Sequence, residues 1–174
     1  MIDEFQWFER PFVFDLPVWM YPNVVERLRG TPARAEDMTA SLDQAVLTWR
    51  DGDAWSIQEN VGHLGDLEPL WLGRLDDVLN GKAVLREADL ENRKTHEADH
   101  NASPINDLLR VFREERQRLV ERLDELDETD VVQTARHPRL DQPMRVLDLI
   151  FFVAEHDDHH LAQVTRLKHA YREM

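Results

Sequence analysis

The sequence predicts an all-α protein: a four-helix bundle with a long connection between its second and third helices and an aromatic N-terminal arm. Three observations lead there. Apolar residues recur three and four apart in four long segments. Helix-starting and helix-stopping residues bracket those segments. No segment alternates convincingly between apolar and polar residues, so no strand is expected. The chain has 174 residues, enough for one domain with its own core. Neither an internal repeat nor a domain boundary is visible, so residues 1–174 are read as one domain.

Residues 1–30 form the arm. They hold Phe5, Trp7, Phe8, Phe12, Phe14, Trp19 and Tyr21, with Pro11, Pro17 and Pro22 to interrupt any long helix. So much aromatic surface is costly if exposed, so the arm is expected to pack on the bundle, with a short helix over about residues 22–29. A dimer contact is the sharper reading, core packing the simpler one. Gly30-Thr31-Pro32 reads as punctuation, Gly30 ending one helix while Thr31 caps the next and Pro32 takes its first position. Met38, Leu42, Val46 and Trp49 then mark a first long helix, running to about Thr48, and Asp51-Gly52-Asp53 reads as a turn.

Ser56 and Glu59 form a capping box that opens the second long helix. Ile57, Leu64, Leu67, Trp71, Leu75 and Val78 mark its apolar face, and Asn80-Gly81 stops it. Residues 82–102 lose the pattern and read as a long polar loop, with room for a helical turn, of the kind that often is a lid or a wall of a site. His96 and His100 sit there four apart, without an apolar stripe to carry them. Ser103-Pro104 starts the third long helix, whose stripe is Ile105, Leu109, Phe112, Leu119, Leu123 and Leu126. Its interleaved Glu and Arg residues read as a solvated face. A second loop spans residues 127–143, and the fourth long helix runs from Met144 to about Lys168.

The composition narrows the function. With 42% hydrophobic and 32% charged residues, the chain has the balance of a soluble globular protein. It lacks an apolar run of the roughly 18 residues a membrane helix needs, and Met1-Ile2-Asp3-Glu4 does not open a signal peptide. A formal charge of −14 counts against nucleic acid and anionic membranes as partners. Cysteine is absent, so no disulfide, thiolate metal site or cysteine nucleophile is available, which fits a cytoplasmic protein.

The chemistry gathers at Glu155-His156-Asp157-Asp158-His159-His160 in the fourth helix. At about 100° per residue, Leu149, Val153, His156, His160, Val164 and Leu167 fall within an arc of roughly 80°. Two histidines one turn apart therefore stand on the buried face. Buried imidazoles need a hydrogen-bond partner or a metal. A catalytic divalent site takes about three protein ligands and leaves one position open. His63, at the edge of the second helix's apolar face, is the natural third ligand beside His156 and His160. Asp157 and Asp66 are candidates to orient ligand rings. Glu59 could be a partner or a base beyond its capping role. His137 is a further candidate, reaching the site from its loop, and His159 has the angle of a surface residue. A di-iron bundle would need paired Glu-x-x-His motifs; the fourth helix has Asp157-x-x-His160, the second helix has no partner motif and Glu97-x-x-His100 falls in the polar loop, so that reading is set aside.

Trp55-Ser56-Ile57-Gln58-Glu59-Asn60-Val61-Gly62-His63-Leu64 resembles the second-helix signature of the DinB/YfiT-like family. Ala154-Glu155-His156-Asp157-Asp158-His159-His160-Leu161-Ala162-Gln163 resembles its fourth-helix signature. The resemblance extends over roughly residues 30–167. It implies a bundle with a three-histidine divalent-metal site, the ligands being His63, His156 and His160, and often a homodimer. It also implies a small-molecule substrate and one of two activities, hydrolysis or transfer involving a low-molecular-weight thiol. The chemistry permits both: a metal acidifies water into a nucleophile, or lowers the pKa of a thiol, which here must come from a cosubstrate. Zinc and nickel suit such imidazole sites best, with iron and copper acceptable. A bundle that binds metal without catalysis, or an interaction module whose histidines are only hydrogen-bonded, are the competing readings.

Overall fold

Burying the apolar stripes against one another assembles four long helices in this computed structural model, which describes residues 6–173. In order the chain forms α1 (Tyr21–Thr39), α2 (Gln44–Thr48), α3 (Ile57–Leu79), α4 (Arg93–Glu97), α5 (Ile105–Asp124), α6 (Glu128–Val131), strands β1 (Thr134–His137) and β2 (Gln142–Arg145), and α7 (Val146–Arg172). Helix α3 packs against α5 and α7, and so does α1, which sets α1 and α3 on one diagonal of the bundle. Among the described residues, no helix is long and apolar enough to cross a membrane.

The second long helix starts where its cap predicts, whereas α5 begins at Ile105 with Pro104, not Ser103, at its N-cap and no side-chain cap. Ser56 accepts from the Glu59 N–H and the Glu59 carboxylate accepts from the Ser56 N–H, the reciprocal pair of a capping box. Gly81 takes φ 69° just past the end of α3, a left-handed turn that glycine adopts without steric cost. On α7 the whole expected stripe of Leu149, Val153, His156, His160, Val164 and Leu167 is buried.

Three expectations need correction. Gly30-Thr31-Pro32 does not break the chain; α1 runs through it and ends at Thr39, so the predicted short helix and about the first half of the first long helix are one element. Pro32 lacks an N–H and would leave the Leu28 carbonyl unpaired in the helix. The Arg116 side chain donates to that carbonyl across 3.2 Å. The Thr31 hydroxyl lies between two acceptors, the Arg27 carbonyl at 3.0 Å and Asp157 at 2.8 Å, and gives its single proton to one of them instead of capping a new helix. Residues 44–48 form the separate short α2, begun by an extended Asp43. The second loop also holds an antiparallel hairpin, pairing Thr134 with Arg145 through His137 with Gln142. Its strands carry Arg136, Pro143 and Arg145 rather than β-branched residues, so their sequences give little strand signal. The first loop is ordered too: it holds α4 and a single turn at His100–Ala102, and Val84 bridges to Arg136 of β1.

The arm packs as expected of a buried aromatic segment. Trp7, Phe12, Phe14, Leu16, Val18 and Tyr21 lie against the largest apolar cluster, while Phe8 and Trp19 stay exposed. Phe5 falls outside the described residues. Arg10 ion-pairs with Glu155, and Arg145 donates to the Leu16 carbonyl at 3.0 Å, so the arm is tied to α7 and to the end of β2.

A polar layer crosses the middle of the bundle. Arg116 of α5 is 1% exposed and meets Glu68 of α3 and Asp157 of α7 through both of its terminal nitrogens. Thr31 of α1 adds its hydroxyl to Asp157 at 2.8 Å. Removing one member of a buried ionic group leaves the others uncompensated. Arg116→Ala is therefore expected to lower stability by about 3–5 kcal/mol in urea unfolding; a loss below about 1 kcal/mol would contradict this account.

Candidate metal centre

His63 leaves α3 toward α7, whose His156 and His160 stand one turn apart on the facing side. All three are buried, and one nitrogen from each lies within 4.8 Å of the other two. The His156 and His160 Nε2 atoms are 3.2 Å apart. Two nitrogens bound tetrahedrally at about 2.0–2.1 Å from one zinc ion would stand about 3.3 Å apart, close to this separation.

The remote nitrogens define how the protons are arranged. The Thr95 hydroxyl donates to Asp66 at 2.8 Å, so its oxygen must accept from His63 Nδ1–H at 2.9 Å. The Asn60 amide nitrogen donates to the Trp55 and Ser56 carbonyls, so its oxygen accepts from His160 Nδ1–H at 2.8 Å. Both rings thus carry their proton on Nδ1 and turn a bare Nε2 lone pair inward, the form a metal needs. His156 Nδ1 is one of two buried side-chain polar atoms without a hydrogen-bond partner among the described residues. With its Nε2 facing another imidazole nitrogen, His156 is short of partners, and a cation accepting lone pairs suits it. The donor set therefore fits a divalent ion.

Burial, reinforced by the neighbouring histidines, keeps these rings neutral. It lowers His63 to about 4, and Asp66 only partly offsets the shift. His156 is pushed well below the usual histidine value by burial first and then by His63, His159 and Arg116, and His160 by burial first and then by His156, His63 and His159. Neutral imidazole is the ligand form, so all three are ready near neutral pH.

The other sequence candidates divide by what they touch. Asp66 reaches His63 only through Thr95, and its Oδ2 also meets His100 Nε2 at 2.8 Å. Asp157 does not orient a ligand ring; Arg116 and Thr31 take its carboxylate. Glu59 is occupied by Arg50 and the Ser56 N–H, and although burial works to raise its pKa, these contacts hold it below the ordinary carboxylate value. His159 is half-buried rather than a surface residue, because Trp7 of the arm stands beside it at 5.7 Å between rings. His137 is buried on β1, 5.3 Å from the Phe152 ring, and lines the same cavity without joining the three-histidine group.

That cavity holds about 810 Å³, room for a small molecule. Trp7, Trp55 and Trp71 form much of its wall, with the Trp55 ring 4.7 Å from His63 and the Trp71 ring 5.5 Å from His156. The residue 82–102 segment supplies Glu87 to Leu90 and Asn92 to the rim, so it is a wall of the site. It is bolted to α3 by Thr95 and His100 on Asp66, and Gly62 permits the fit, since a Cβ there would strike the His100 ring at 2.4 Å. Thr95, Asn60 and Trp55 were missed as site residues. Asn60 could have been found, because it precedes His63 by one helical turn; Thr95 carried no signal, because its contact depends on how the loop folds back.

Fold and cluster together define a helical bundle with a buried histidine trio suited to one divalent ion. The chain belongs to the DinB superfamily, whose family model matches residues 27–164. Among solved structures it is similar to YfiT from Bacillus subtilis, described as a probable metal-dependent hydrolase with an unusual four-helix bundle topology. The TM-score is 0.81 at 19% identity, with 93% of each chain covered. It is also similar to the mycothiol-dependent maleylpyruvate isomerase, with a TM-score of 0.66 at 12% identity over 85% of this chain and 60% of that one. At these identities the likeness is one of fold. A comparison with curated proteins gives no match.

Acid should unfold the chain by way of these imidazoles. His63 has a folded pKa of about 4, below the usual histidine value of about 6.5 in an unfolded chain. Its stabilisation is therefore complete above pH 6.5 and is lost as pH falls towards 4. His137, lowered to about 3, and His156 and His160 act in the same direction. Glu68, raised by burial to about 7, acts the other way, its contribution present below its unfolded value and lost as pH rises through 7. Four imidazoles against one carboxyl predict a falling melting temperature between pH 6.5 and 4.5 in chelator-treated protein. A flat or rising profile would show that the rings are not buried in neutral form.

Proposed function

We propose that the chain is a divalent-metal-dependent enzyme acting on a small molecule, with His63, His156 and His160 as the ligands. The observation that carries this reading is the trio itself: three buried neutral imidazoles, two with their remote nitrogens engaged by Thr95 and Asn60, opening on a cavity of about 810 Å³. Zinc or nickel is the expected ion. When bound, such an ion supplies Lewis acidity that lowers the pKa of a water or thiol. The chain's own residues hold and aim the ligands, while the three tryptophans restrict solvent around them.

Between hydrolysis and thiol-dependent transfer, the carboxylates favour transfer. Hydrolysis benefits from a carboxylate or imidazole that takes a proton from water. Asp66, Asp157 and Glu59 are all engaged elsewhere, and Glu155 and Asp158, which flank the α7 ligands in sequence, pair with Arg10, Arg27 and Arg34. A thiol, with an ordinary pKa of about 8.5 against 15.7 for water, needs far less help to lose its proton. The lack of cysteine makes that thiol a cosubstrate. The kinship in fold with a mycothiol-dependent isomerase is consistent with this choice.

The test is elemental analysis of untagged protein. Wild type should carry about one equivalent of divalent metal and His156→Ala close to none, after which thiol cosubstrates and esters are screened against the loaded protein. No metal in wild type, with no thermal stabilisation by added zinc or nickel, would reject the proposal. Thr95→Val should keep the fold but lose the acceptor for His63 Nδ1–H. In competition with a chelator it is expected to bind zinc about 10–100-fold more weakly; unchanged affinity would remove Thr95 from the ligand's support.

A further inference from the structure

At the end of the cavity away from the histidine trio, N–H donors converge without matching acceptors. Arg74 of α3 is 2% exposed, and His137 of β1 is also 2% exposed. Arg74 Nε donates to the Arg86 carbonyl, and its Nη1 lies 3.0 Å from His137 Nε2. His137 Nδ1 faces the Leu140 N–H at 3.1 Å. A backbone N–H and a guanidinium can only donate, and a neutral imidazole has one lone pair. Whichever ring nitrogen holds the proton, one of these donors faces another donor. Arg139 adds to the excess: its Nη1 reaches the Phe8 carbonyl at 3.3 Å, while its buried Nη2 has no hydrogen-bond partner.

The charges are equally uncompensated. Among the described residues, neither Arg74 nor Arg139 forms an ion pair with a carboxylate, although the chain carries a formal charge of −14.

 

The acidic residues on the cavity lining, Asp53, Glu87 and Asp89, are exposed. Burial, with the charge of Arg139 next, lowers Arg74 to about 10, and burial with the two guanidiniums lowers His137 to about 3. Positive charge is thus disfavoured here as the side chains stand, and an anion would relieve it.

We infer that Arg74, His137 and Arg139 form a carboxylate-binding subsite of the cavity, which holds an anionic small molecule with its far end at the histidine trio. Guanidinium groups bind carboxylates through paired, charge-assisted hydrogen bonds. The subsite stands on the donors alone; its use in orienting a substrate rests on the metal-enzyme reading. One indole separates the two ends, since the Trp71 ring lies 5.6 Å from the Arg74 guanidinium and 5.5 Å from the His156 ring. A molecule of a few carbons with a carboxylate at one end fits that span.

The test is titration of wild type with succinate and with the neutral succinamide, read by calorimetry, with metal content measured on the same samples. Succinate should bind at least about tenfold tighter than succinamide, a difference of about 1.4 kcal/mol. Arg139→Gln, at a half-buried position, should lose about tenfold or more of the succinate affinity while keeping the wild-type melting temperature and metal content. Equal binding of the two ligands, or unchanged succinate affinity in Arg139→Gln, would overturn the subsite, as would inorganic phosphate binding more tightly than succinate. Succinate binding that depends on Arg139 in a wild type without metal would support the subsite and reject the metal enzyme. Metal in place with no such binding would reject the subsite alone.

Discussion

One buried guanidinium holds the four long helices in register. Arg116 of α5 meets Glu68 of α3, Asp157 of α7 and the Leu28 carbonyl of α1, while Thr31 of α1 closes the group on Asp157. Apolar side chains of equal volume could hold the helices together as well or better. They would not fix each helix's rotation, because apolar contacts are not directional. Hydrogen bonds are directional, and here each helix offers one group to the same centre. With Asp157 turned to Arg116, His156 and His160 are left about one side-step around α7, facing the cavity. With Glu68 turned the same way, His63 is set on the flank of α3 that meets them. The histidine trio therefore depends on an ionic group it does not touch through its own ring nitrogens.

That dependence explains which parts were legible in the sequence. The stripe on α7, the capping box at Ser56 and the spacing of His156 and His160 are local patterns, set by helical periodicity and by the needs of the first turn. They appear in the structure as the sequence reading describes them. Gly30-Thr31-Pro32 is local too, and it misled, because its usual meaning was overridden from a distance. The carbonyl that Pro32 leaves unpaired is satisfied by a residue 88 positions away. Asp157 fails for the same reason: beside two histidines in sequence it resembles an orienting carboxylate, yet Arg116 takes it in space.

The loops were harder still. Thr95 supports His63 only because residues 82–102 fold back on α3, and His100, Asp66 and Gly62 fix that fold jointly. The hairpin of β1 and β2 carries arginine and proline where strand propensity would want branched or aromatic residues. It is held by its pairing and by the Val84 bridge rather than by its composition. His137 is legible as part of the cavity only once that hairpin is known.

The cavity divides its electrostatic work between its ends. The histidine end offers neutral lone pairs, so a divalent ion held there would keep its full charge, unlike one bound by thiolates or carboxylates. The other end offers cationic donors. With a divalent ion held by the histidines, both ends would favour anions, within a chain whose formal charge is −14. An acidic surface repels anions at long range, but over distances beyond about 8–10 Å that repulsion is screened by physiological salt. Inside the cavity screening is weak, and the tryptophan walls lower the local polarity. Selection for a negatively charged ligand then falls to the few groups that line the cavity, and the net charge of the surface has little say in it.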